Sequence, residues 1–163
     1  MLGFNTKNNS QVFIKNFFAK QVHNWIRKDP DYYRAFVLLF DCLPQKIKAE
    51  LNRKKDIIFL KVDGQFASTI EANHKKSIVL IYEDLLKLFK GPRFPQGVAV
   101  LAHELGHILR DHAKRHISII DTQFEADQFA VEIGLEEELI DFLSDHIEKG
   151  DCKIRLDKLL INK

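Results

Sequence analysis

The chain has 163 residues, 45% of them hydrophobic and 29% charged, with 25 basic against 23 acidic side chains and a formal net charge of +2. That is enough chain for one domain with a sizeable core, and the near balance of charge gives no ground for a nucleic-acid partner. No stretch approaches the roughly 20 apolar residues that span a bilayer, and the start, Met1 to Ser10, lacks the apolar run of a signal peptide.

Cys42 and Cys152 stand far apart with no CxxC pair and read as two thiols of a reducing compartment. The expectation is therefore a cytoplasmic protein without a transmembrane segment. Its oligomeric state is open.

Helical spacing of Val12, Phe13, Phe17, Phe18, Val22, Trp25 and Ile26 predicts a first helix that stops at Asp29-Pro30. A second covers Tyr32 to Asp41 and a short third covers Pro44 to Asn52. The pattern then changes. Ile57 to Val62 is short and β-branched, and Asp63-Gly64 closes it as a turn. Phe66 to Ile70 is a weaker strand and Ser77 to Tyr82 a strong one.

Glu83 to Phe89 reads as a short helix ended by Gly91-Pro92, and Pro95 suits the first turn of the next, which can run to about His116. Three more helices follow, over Asp121 to Ile133, Glu136 to His146 and Asp151 to Leu160. Helices, a small sheet and helices again predict an α+β fold. The expected organisation is a single domain over 1–163, with 1–52 a helical N-terminal extension and 53–163 the core.

The chemistry sits in His103-Glu104-Leu105-Gly106-His107. Positions i and i+4 share one helix face, so His103 and His107 project side by side at a separation a tetrahedral Zn²⁺ accepts. Glu104, beside the first of them, reaches a metal-held water as general base and then serves the leaving amine. The run Val98 to Ala102 makes this a buried helix, the rigid support such a site requires. His112 and His116, beside Arg110, Lys114 and Arg115, are expected on the solvent end of the same helix and not as ligands.

A catalytic zinc needs a third protein ligand, and the next helix supplies acids at Asp121, Glu125 and Asp127. The run Val98 to His107 followed by Phe124-Glu125-Ala126-Asp127-Gln128-Phe129-Ala130 resembles the gluzincin peptidases related to HtpX and the CAAX prenyl endopeptidases. Phe66-Ala67, Ile78 to Leu86, His146 and Arg155-Leu156-Asp157-Lys158-Leu159 resemble further elements of that group more loosely, so the likeness covers roughly residues 57–160.

The resemblance implies a zincin-like fold: a small mixed sheet with an edge strand packed on the HExxH helix. It also implies zinc on His103 and His107, Glu104 as base and Asp127 hydrogen-bonded behind a ligand histidine. The group's ligand Glu falls on Gln123, whose neutral amide is a weaker donor than a carboxylate. Glu125 is the nearest carboxylate but lies roughly 200° round the helix from Gln123. Glu125, Gln123 and Asp121 remain the alternatives for the third ligand. His146 is the candidate for stabilising the oxyanion, with Arg155 and Tyr82 as alternatives. Ile78 to Tyr82 is the candidate edge strand for an extended substrate.

Together these readings describe a zinc metalloendopeptidase acting on a peptide or protein substrate. The alternatives are an ImmA/IrrE-like regulatory protease, whose usual L-L-x-P stretch is replaced here by Val131 to Leu135, and a degenerate metal-binding or interaction module of the same fold.

Overall fold

A computed structural model describes residues 5–54, 56–62, 67–73 and 76–161. Four helices come first: α1 (Asn5–Ala19), α2 (Asn24–Arg27), α3 (Pro30–Cys42) and α4 (Gln45–Lys54). Strands β1 (Asp56–Val62), β2 (Ala67–Asn73) and β3 (Lys76–Tyr82) follow. The chain continues through α5 (Glu83–Lys90), α6 (Phe94–Leu109), α7 (Ile119–Glu132), α8 (Glu136–Asp145) and α9 (Cys152–Ile161). This is an α+β order. The expected turn at Asp63-Gly64 and the first residue of the second strand, Phe66, lie outside the described residues. Among the described residues no helix is long and apolar enough to cross a membrane.

The single helix expected over Val12 to Ile26 is broken. Lys20 is extended and a 3-10 turn over Gln21–His23 precedes α2. The break turns His23 fully inward, where its ring stacks on Phe17 at 4.0 Å between centroids. Its Nδ1–H donates to the Phe17 carbonyl at 2.9 Å, and its Nε2 accepts the Phe59 backbone N–H at 3.2 Å. A buried ring satisfied on both edges favours the break over a continuous helix, because it ties α1 to β1. Asp29-Pro30 acts as expected: Asp29 accepts the amides of Asp31 and Tyr32, and Pro30 opens α3.

Phenylalanines join these elements. Phe17 meets Phe40 edge-on at 4.7 Å, and Phe36 meets Phe59 edge-on at 5.0 Å. Each such contact contributes roughly 0.5–1.5 kcal/mol beyond burial. The N-terminal helices therefore share the core of the sheet and α6.

β3 lies between β1, parallel to it, and β2, antiparallel to it. The expectation that Ile78 to Tyr82 is an edge strand is corrected: it is bonded on both sides, which is what its continuous apolar run serves. The edge strand that packs on α6 is β2.

Every residue of α6 from Gln96 to Gly106 is buried, because α3, α5, α7, α8 and β2 surround it. Contact with α7 is backbone to backbone, since a Cβ on Gly106 would lie 2.9 Å from both Cα and the carbonyl oxygen of Ala126.

The expected run of α6 to His116 is also corrected. The helix ends at Leu109, and Asp111 takes the left-handed conformation (φ 51°, ψ 40°) before a 3-10 turn over His112–Lys114. α7 ends on Gly134, whose positive φ of 85° lets its N–H bond Val131 and that of Leu135 bond Ala130.

Two outcomes are expected. Gly106→Ala lowers the melting temperature although alanine is the better helix former by about 1 kcal/mol, because backbone cannot step aside as a side chain can. Thermal unfolding followed by circular dichroism checks this.

The second concerns His23, whose pKa burial lowers against the smaller raising effect of its bond to Phe17. The unfolded chain protonates this ring near its ordinary pKa of about 6.5, while the folded chain does not until lower pH. Its stabilisation is thus complete above about 6.5 and declines as the pH falls below that value, by up to about 1.4 kcal/mol per unit. Denaturant midpoints between pH 7.5 and 5.5 should show a shallower loss for His23→Gln than for the native chain.

Candidate active site

On α6, His103 and His107 stand one turn apart and their Nε2 atoms converge to 3.1 Å. Two nitrogens bound to one tetrahedral cation at about 2.0–2.1 Å lie roughly 3.3–3.4 Å apart, so this spacing fits a shared metal. Both rings face a cleft of about 620 Å³. Among the described residues no third His, Cys, Asp or Glu completes a three-residue metal group with them.

Behind His103, its Nδ1 lies 2.7 Å from Oδ1 of Asp127, on α7. Asp127 is only 1% exposed. Arg155, on α9, clamps it with Nε to Oδ2 at 2.8 Å and Nη2 to Oδ1 at 2.6 Å. Arg155 Nη2 also comes within 3.2 Å of His103 Nδ1. The carboxylate accepts, so the 2.7 Å contact requires the proton on His103 Nδ1 and leaves the lone pair on Nε2. Burial alone would raise the Asp127 carboxyl, but the hydrogen bonds of His103 and Arg155 outweigh it and hold the group below its ordinary value.

Behind His107 stands a second chain of groups. Its Nδ1 is 2.8 Å from Nδ1 of His112, whose Nε2 is 3.1 Å from Oε2 of Glu125. Arg115 bonds both Glu125 oxygens, one of them at 2.9 Å. His112 is buried, contrary to the expectation that it lies on the solvent end of the helix; the left-handed turn at Asp111 brings it back over His107. His116 is exposed. Burial, then the rings of His103 and His112, push His107 down to about 3, which keeps it neutral near pH 7. Arg115 above all, then His112, lowers Glu125 to about 2.

Glu104 is buried at the cleft, where Thr69 of β2 donates its hydroxyl to Oε2 at 2.6 Å and lies 3.3 Å from the Glu104 carbonyl. The edge strand thereby sets the carboxylate of the α6 motif. Of the three alternatives on α7, Gln123 lines the cleft. Glu125 is engaged with Arg115 and His112, and it does not line the cleft. Asp121 is exposed at the helix start, accepting the hydroxyl of the N-cap Ser118 at 2.6 Å.

His146 lines the far wall, its Nδ1–H given to the Phe142 carbonyl at 2.7 Å. Arg155 lines it too, with two nitrogens committed to Asp127, whereas Tyr82 does not.

Sequence reasoning missed Thr69 and His112. Nothing in the string marks Thr69. For His112 a signal existed: apolar periodicity stops at Leu109 and gives way to a run from Arg110 to Arg115 that is polar except for Ala113.

Residues 49–126, just under half of the chain, match the model of Peptidase family M48, and that similarity supports a metallopeptidase. No curated protein and no solved structure matches the chain.

Proposed function

We propose that this chain is a zinc-dependent peptidase of zincin-like fold, a single domain, that hydrolyses peptide bonds in a protein or peptide substrate. The observation that carries the reading is the convergence of His103 and His107 Nε2 at 3.1 Å, with Glu104 on the same cleft wall. Likeness of residues 49–126 to a metallopeptidase family supports it.

In this reading His103 and His107 hold the metal and Gln123, which lines the cleft, offers its amide oxygen as third donor. Bound zinc supplies Lewis acidity and lowers the pKa of a bound water. Glu104 takes the proton of the attacking water and hands it to the leaving amine nitrogen. The Thr69 hydroxyl restricts the Glu104 carboxylate to one orientation. An extended substrate adds to the outer edge of β2, beside Thr69, with main-chain bonds for affinity. With its Nδ1–H committed to Phe142, His146 donates to an oxyanion from Nε2 only in its protonated form.

Gln123 also favours a second reading, a metal-binding module of the same fold without turnover, since an amide brings no charge to a dication. Metal content and cleavage of an unfolded protein decide. The native chain is expected to carry one zinc and to cleave. Glu104→Gln should keep the metal and lose at least about a hundredfold in rate. Zinc without cleavage selects the module; no metal in the native chain overturns both readings.

Replacing the amide tests the third ligand. Gln123→Glu should bind zinc at least about tenfold more tightly in competition with a chelator, because it replaces a neutral donor by an anionic one.

A further inference from the structure

Glu125, ionised, has only acceptors, so the 3.1 Å contact from His112 Nε2 to its Oε2 requires a proton on that nitrogen. Neutral imidazole carries one N–H, which leaves a lone pair on His112 Nδ1. That nitrogen is 2.8 Å from His107 Nδ1. Two facing lone pairs would repel at this distance, so His107 donates from Nδ1 and its own lone pair sits on Nε2, toward the lone pair of His103 Nε2, a pairing that a cation shared between the two nitrogens would relieve.

We propose that His112 and Glu125 are positioning residues that fix the tautomer and ring orientation of His107, with Arg115 steadying the carboxylate. The inference deepens the zinc-site reading above and rests on it.

Two further observations agree. His112 does not arrive by helix continuation, which would turn it about 140° away from His107. Asp111 takes a left-handed conformation to return it, one that a residue with a side chain seldom adopts. The arrangement also repeats the one behind His103: ring, carboxylate and guanidinium there, ring, second ring, carboxylate and guanidinium here. Each metal-facing ring thus has its own support, a carboxylate of α7 in both cases, steadied from α9 for one and from the turn after α6 for the other.

Long-range proton–nitrogen NMR on the full metal-free chain near pH 8.5, above the ordinary histidine range, reads the tautomers directly. The native chain should show His107 as the Nδ1–H form and His112 as the Nε2–H form. His112→Leu should abolish the His107 preference and weaken Zn²⁺ binding in chelator competition by about 10–100-fold. His112→Asn, which keeps an acceptor near the same place, should recover most of that loss.

Should His112→Leu fail to fold, Glu125→Ala gives the same readout by releasing the His112 tautomer. His107 found as the Nε2–H form in the native chain, or unchanged Zn²⁺ affinity in folded His112→Leu, overturns the proposal. Expected tautomers in a chain with no Zn²⁺ affinity overturn the zinc reading and leave the positioning contact standing.

Discussion

Helices α6 and α7 meet where Gly106 lies against the backbone of Ala126, and the geometry of the whole cleft follows from how closely they meet. One residue beyond Ala126, Asp127 comes within hydrogen-bond reach of His103; three residues before it, Gln123 reaches the cleft. A larger residue at Gly106 would press on the α7 backbone and disturb both placements. Close packing makes such a shift costly on both sides, because interiors hold little free space to absorb it. The glycine inside the HExxH motif is thus as much a part of the site as the histidines that flank it.

Much of this architecture was legible as pattern. Asp29-Pro30, Pro95 and the apolar run before His103 marked element boundaries through local sterics and periodicity, which neighbouring chain cannot easily override. What escaped depended on partners far away in sequence. The break after α1 depends on a histidine satisfied between Phe17 and Phe59, and no local signal announces that. The ranking of β3 as an edge failed because a strong apolar strand reports burial of its faces, not what lies along its sides.

The candidate site divides the same way. The α6 motif declares two rings and a carboxylate through spacing alone. Which acid stands behind which ring depends on how α7 and α9 dock, so the string leaves Glu125 as one of three alternative donors and does not show its engagement with Arg115 and His112. Both supporting carboxylates are matched by a guanidinium, Asp127 by Arg155 and Glu125 by Arg115. Their charges are therefore compensated locally, behind the rings that line the cleft. Glu104, which lines the same space, is held instead by the hydroxyl of Thr69.

The Asp127–Arg155 pair joins the cleft to a part of the chain outside the family likeness. Similarity to the peptidase family stops at residue 126, one position short of Asp127 and well before α9. A fragment cut there would retain the complete HExxH string yet lose the acid that orients His103. A cut before α9 would keep Asp127 but strip a buried carboxylate of its counter-charge, a change worth several kcal/mol. The stretch that resembles the family and the set of residues that hold His103 are therefore different lengths of chain, and the last ten-residue helix belongs to the second.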